Sequence, residues 1–159
     1  MENITLNIQI LKKQDSEFTK EEQLLVESAK EATYSSYAPY SHFSVGAALL
    51  FEDGSILKGC NQENSSYPCG ICAERSALFA AGAQCPEKKV IAICIAARDT
   101  TGEFTSRPIS PCGACRQVMV ECEDRYGVPM KVFLYGTEGT YILNSVKDLL
   151  PLNFDGTFL

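Results

Sequence analysis

Three short stretches of this chain carry side chains able to hold a metal and move protons: Cys69-Gly70-Ile71-Cys72, the adjoining Ala73-Glu74-Arg75, and Pro111-Cys112-Gly113-Ala114-Cys115. His42 is the single histidine, which excludes a two-histidine metal helix and leaves any metal site to be built mainly from sulfur. Zn²⁺ accepts such donors. Three thiolates, from Cys72, Cys112 and Cys115, leave its fourth tetrahedral position to water, the catalytic rather than the structural pattern. Glu74 stands two residues beyond a ligand, close enough to shuttle a proton without coordinating the ion. Arg75, one helical turn after Cys72, is placed to offset the negative charge of the thiolates. Two other arrangements remain open on spacing alone. A closed four-cysteine structural site would add Cys69, although 39 residues separate the two pairs and zinc ribbons commonly use ~15–20. Either C-x2-C pair could serve thiol redox chemistry, in which case the two pairs would compete for the role.

The elements that must position these groups can be traced along the chain. Ile4, Leu6, Ile8 and Ile10 alternate with polar residues, a strand period. Thr19-Lys20-Glu21-Glu22 is a capping box ahead of a helix carrying Leu24, Leu25, Ala29 and Ala32, which must end before Pro39. Phe43 to Phe51 and Ile56 to Asn61 flank Glu52-Asp53-Gly54-Ser55 and predict a β-hairpin. A helix is expected from Cys72 to a left-handed cap at Gly82, then an apolar central strand from Val90 to Ala97. Ser110-Pro111 predicts an N-cap with proline at the first helical position, opening a helix that ends by Gly127. Met130 to Tyr135 and Thr140 to Leu143 form a second hairpin, and Ser145 caps a short last helix. The fold expected is α/β: a three-layer α/β/α sandwich around a five-stranded mixed sheet, with its last strand antiparallel to the one before. Residues 1–18 are expected to be an N-terminal extension with an extra strand, and 19–159 one domain.

Zinc-dependent nucleobase deaminases carry a ligand-x-Glu unit followed by Pro-Cys-x-x-Cys, and Cys72-Ala73-Glu74 with Pro111-Cys112-Gly113-Ala114-Cys115 fits that pattern. Tyr40-Ser41-His42-Phe43-Ser44-Val45-Gly46-Ala47, Gly59-Cys60-Asn61-Gln62-Glu63-Asn64, Gly70-Ile71-Cys72-Ala73-Glu74-Arg75 and Ser110-Pro111-Cys112-Gly113-Ala114-Cys115-Arg116-Gln117 together resemble the short, three-cysteine, homotetrameric cytidine deaminases. The resemblance runs over roughly residues 19 to 154, with the motifs in the family's order. It implies one Zn²⁺ per chain, with hydrolysis of cytidine and 2′-deoxycytidine to the uridine nucleosides and ammonia in pyrimidine salvage. It also implies that Asn61 and Glu63 bind the ribose 3′-hydroxyl, that Phe43 lies against the pyrimidine, and that Ala73 gives a backbone donor to the base. Phe154 is similar to a C-terminal phenylalanine that enters a neighbouring subunit's site. Cys69 departs from the family, which more often has a bulky apolar residue there. A deaminase of a modified cytosine nucleoside such as blasticidin would use the same catalytic residues, and a structural zinc module is the reading from another class.

Composition bounds the partners. Fourteen Lys and Arg against twenty Asp and Glu give a net charge of −6, without the basic footprint that a phosphate backbone requires. Together with the antiparallel last strand, this favours a free nucleoside over a polynucleotide among the substrates that the resemblance implies. No apolar run approaches the ~18 residues of a membrane span, and Met1-Glu2-Asn3 opens no secretory signal, so a cytoplasmic location with reduced thiols is expected. On that reading Cys60, Cys85, Cys94 and Cys122 are small packing residues, and His42 is a packing or hydrogen-bonding one.

Overall fold

The computed structural model describes residues 1–159, apart from the side chain of Phe158. Six strands, β1 (Leu11–Lys13), β2 (Ser44–Phe51), β3 (Ile56–Cys60), β4 (Val90–Arg98), β5 (Lys131–Leu134) and β6 (Thr140–Leu143), form one sheet in the order β1-β6-β5-β4-β2-β3. Helices α1 (Lys20–Ala32), α2 (Ala73–Gln84) and α3 (Gly113–Tyr126) cover it. Apolar side chains of β2 divide between the faces, as the two-residue period of a strand requires. Ala48 and Leu50 pack with Leu25, Val26 and Ala29 of α1, while Ala47 and Leu49 pack with Ala77 and Leu78 of α2 and Met119 of α3. The expected α/β/α sandwich is therefore realised, with β4 buried between the layers.

Antiparallel pairs join β2 to β3, β2 to β4 and β5 to β6, while β4 and β5 are parallel. The β4-α3-β5 crossover forces that parallel pair. The last strand is antiparallel to its neighbour, as the second hairpin dictates.

Local signals explain most boundaries. Thr19 accepts from Glu22 N while Glu22 reaches back to Thr19 N, the reciprocal cap of α1. Gly127, at φ 65°, closes α3 in the left-handed region. Glu123, only 7 % exposed, accepts from Met130 N, Ser145 Oγ and Val146 N and so ties α3 to β5 and to the turn after β6.

Four expectations are corrected. The sheet has six strands rather than five, because β1 adds to the outer edge of β6. The alternating stretch from Ile4 to Ile10 is not a strand. Leu11 pairs with Ile142, so residues further upstream face the turn at Ser145–Val146, where the partner strand has run out. Helix α2 continues through Gly82 to Gln84, since glycine is tolerated near a helix end and Gly82 lies beside Arg125 of α3. Helix α3 begins at Gly113 with Cys112 as N-cap, two residues later than Pro111 predicts. The Pro111 carbonyl accepts from Arg116 Nε at 2.8 Å, a side-chain anchor that holds this proline ahead of the helix.

Close approach at Gly59 fixes the height of α2 on the sheet. A Cβ there would stand 2.5 Å from Ala77 N and 2.8 Å from Ala77 Cβ, so α2 rests on bare backbone. Gly59→Ala is expected to destabilise the fold by about 1–3 kcal/mol, as overpacking does. Because α2 carries Glu74 and Arg75 and is capped by Cys72, the same variant should lose metal to a chelator faster than the parent, which denaturation and chelator-challenge curves would measure.

Candidate metal centre

Both cysteine segments reach the centre in the same way. Cys72 is the N-cap of α2 and Cys112 the N-cap of α3, each in extended backbone and neither spending its side chain on capping. Cys115 lies in the first turn of α3 and is fully buried. The sulfurs of Cys72, Cys112 and Cys115 lie within 4.8 Å of one another, and those of Cys112 and Cys115 are 3.3 Å apart. Helix N-termini favour negative charge, so two of them meeting here stabilise thiolates. Cys69, exposed on the preceding 3-10 turn, stands outside this group.

The protonation pattern follows from that crowding. Hydrogen bonding from Cys115, aided by Arg75, draws the Cys72 thiol down to about 5 despite partial burial. Cys115, as the donor in that pair and buried, is pushed far up. Arg75 Nη2 lies 3.9 Å from Cys72 Sγ, and its Nε is buried without a partner among the described residues. A guanidinium held this way fits a site that carries excess negative charge. The donor set itself fits Zn²⁺: three convergent sulfurs with a cation behind them.

Glu74 is 4 % exposed in the first turn of α2. Burial raises its pKa above the ordinary carboxylate range, and the negative Cys72 adds to the effect. A carboxyl with its proton affinity raised in this way is suited to taking and returning a proton.

A cavity of about 530 Å³ opens beside the cluster, lined by Tyr40, Ser41, Asn61, Glu63, Cys72 and Arg75 among others. Glu63 sits in it with Tyr40 N at 2.9 Å, Ser41 N at 3.3 Å and the Ser41 hydroxyl all donating to its carboxylate. Asn61 accepts from Val45 N at 2.8 Å and donates to Phe43 O at 2.9 Å. Phe43 is half-buried behind that bond, and Ala73 is fully buried at the start of α2. Neither lines the cavity, nor does Phe154. Phe154 is 57 % exposed, with its carbonyl accepting from Gln117 Nε2 at 2.8 Å.

The family profile described as the cytidine and deoxycytidylate deaminase zinc-binding region matches residues 19–130, a span that includes all three cysteines and Glu74. The chain belongs to this deaminase family. A cytidine deaminase of Halalkalibacterium halodurans is 45% identical over 130 residues, which are 81% of this chain and 90% of the relative. One from Sporosarcina psychrophila is 46% identical over 131 residues, covering 82% and 88% respectively. The crystal structure of cytidine deaminase from Burkholderia pseudomallei superposes with a TM-score of 0.70 at 43% identity, covering 86% of this chain and all of that one. Zinc is the metal of this deaminase family's matched region, in agreement with the sulfur cluster.

Sequence reasoning missed three contributors around this centre. Ser41 holds Glu63, and Arg116 reaches from the first turns of α3 to Pro111 O and, at 2.7 Å, to Leu149 O. Glu123 anchors the far end of the same helix. Glu123 could have been found as a carboxylate set four residues after buried Met119, on the core-facing stripe of α3. Nothing local marks the other two.

Replacing Cys69 by Ser should leave one zinc per chain, whereas Cys72→Ser, Cys112→Ser or Cys115→Ser should each lose it, as elemental analysis of the purified proteins would report. Zinc loss from the Cys69 variant as well would favour a closed four-cysteine site.

Proposed function

We propose that this chain hydrolyses cytidine and 2′-deoxycytidine to uridine and 2′-deoxyuridine, releasing ammonia, as a step of pyrimidine salvage. The observation that carries the reading is the meeting of three cysteine sulfurs with one buried glutamate, beside a cavity that Cys72 lines. Residues 19–159 form one zinc-dependent deaminase domain, with 1–18 as an extension, and Cys72, Cys112 and Cys115 hold a single zinc. When bound, zinc supplies Lewis-acid activation of water at neutral pH.

The remaining steps fall to the chain's own side chains. Glu74 accepts the proton that the attacking water sheds as its oxygen bonds to C4, and delivers it to N3 of the pyrimidine. It then carries a second proton to the departing amino group, so that cytidine and water are converted to uridine and ammonia. Burial of Glu74 supports this use, because a carboxyl with raised affinity for protons both takes and returns them readily. Arg75 offsets the thiolate charge, which would otherwise weaken the metal as an acid. Ala73 offers its backbone to the base, Phe43 its ring, and Asn61 and Glu63 grip the ribose.

The assembly proposed is a homotetramer in which Phe154 enters a neighbouring subunit's site, an assignment supported by its exposure. No helix among the described residues is long and apolar enough to cross a membrane, and a cytoplasmic site of action is part of the proposal.

Glu74→Gln keeps the side chain's shape and removes the proton carrier. Its zinc content should match the parent while turnover of cytidine, followed by absorbance, falls by at least ~10²–10⁴. Near-normal turnover would sink the mechanism. For the assembly, mixed Glu74→Gln and Phe154→Ala chains should recover activity above either parent, and light scattering should give four chains. A mixture no better than its components would confine Phe154 to its own subunit.

A further inference from the structure

The geometry points to Ser41 as a positioning residue for nucleoside binding, one that locks the sugar-reading carboxylate of Glu63 to the base-reading segment at Phe43. This rests on the assignments of Glu63 to the ribose 3′-hydroxyl and of Phe43 to the base.

The Ser41 hydroxyl stands at a junction. It donates to Glu63 Oε1 and accepts from Phe43 N at 3.1 Å. Glu63 Oε2 meanwhile accepts from Tyr40 N and Ser41 N, so both carboxylate oxygens are held by two consecutive residues of one turn. From Phe43 the chain of bonds continues: its carbonyl accepts from Asn61 Nδ2, and Asn61 Oδ1 accepts from Val45 N. Asn61 and Glu63 are themselves two residues apart, beside Gln62, whose backbone pairs with Ile71 just ahead of Cys72. The result is a closed circuit from Glu63 through Ser41, Phe43 and Asn61 back to the same short segment. Ser41 joins Glu63 to Phe43 through its side chain, as Asn61 joins Phe43 to Val45 through its own.

Backbone geometry is arranged to put the hydroxyl there. His42, immediately after Ser41, lies at φ 54°, in the left-handed region that residues other than glycine rarely adopt. His42 N donates to Ala38 O at 3.0 Å, closing the turn that folds Ser41 back over Glu63. The donors also keep the carboxylate ionised: the Ser41 hydroxyl foremost holds the Glu63 pKa below its ordinary value. An ionised carboxylate offers about four acceptor positions and three are filled, which leaves room for one hydroxyl from a ligand.

A nucleoside joins sugar and base through one covalent bond, so a site that reads both must fix the distance between its two readers. Without the Ser41 hydroxyl, Tyr40 N and Ser41 N would still hold Oε2 of Glu63, but Oε1 would lose its donor and with it the side-chain link to Phe43. A loose acceptor gains less from the hydroxyl because it must be ordered on binding.

The test compares kcat and KM on cytidine and on 3′-deoxycytidine for the parent, Ser41→Ala, Ser41→Thr and Glu63→Ala, each checked for zinc content and Tm. Ser41→Ala should lose about tenfold in kcat/KM on cytidine, carried by KM. Its penalty for the missing 3′-hydroxyl should shrink toward that of Glu63→Ala, and Ser41→Thr should restore the discrimination. If Ser41→Ala discriminates as strongly as the parent while Glu63→Ala does not, Ser41 has no positioning role. Full discrimination in Glu63→Ala would remove the sugar contact itself, and the role of Ser41 with it. Should Ser41→Ala fail to fold, loss of discrimination in Ser41→Cys, with the parent's zinc content, would support the role and retention would overturn it.

Discussion

Three sulfurs within 4.8 Å of one another are an electrostatic problem that the rest of the molecule is built to solve. Thiolates this close repel, and the crowding drives the two thiols apart, Cys72 drawn down and Cys115 pushed far up. Two helix N-termini and the Arg75 guanidinium supply the fixed positive potential. None of these sources is strong alone. They act together only because α2 and α3 lie on the same face of the sheet and start at the same end of it.

That placement depends on small residues. Gly59 lets α2 settle onto β3, and Ala47, Ala73 and Ala77 fill the space between helix and sheet without pushing them apart. On the opposite face a Cβ at Gly46 would collide with Ala29 O and Thr33 N, so α1 is drawn in equally closely. The central strand β4 is buried almost throughout, which makes the sheet a rigid base for both helix starts. Precision at the sulfur cluster is thus a packing property, set by side chains that take no part in chemistry.

Features that depend on neighbours in sequence are legible from the sequence, and features that depend on neighbours in space are not. Thr19 and Glu22 cap each other within four residues, Gly127 terminates its helix by its own backbone freedom, and Cys112 and Cys115 share one helical turn. The meeting of Cys72 with that pair is a long-range event, readable only because the motif order matches a known family. Residues 4 to 10 show the converse. Their alternation is real, yet a strand needs a partner, and β6 ends where they would begin to pair. Proline likewise misleads at position 111, where a favourable local preference for the first helical position yields to the Arg116 side chain binding its carbonyl. Ser41 is invisible for a similar reason: an exposed serine in a turn gains its meaning only from a carboxylate 22 residues away.

Helix α3 has two working sides. Its inward side carries Cys115, while Arg116 and Gln117 reach to the carbonyls of Leu149 and Phe154. Any strain applied to the last dozen residues is therefore transmitted to the turn of helix that presents the sulfurs. For anyone handling the protein this is a practical matter: a label or inserted segment placed between Leu149 and Phe154 would act on the helix start that carries Cys115, far from it in sequence.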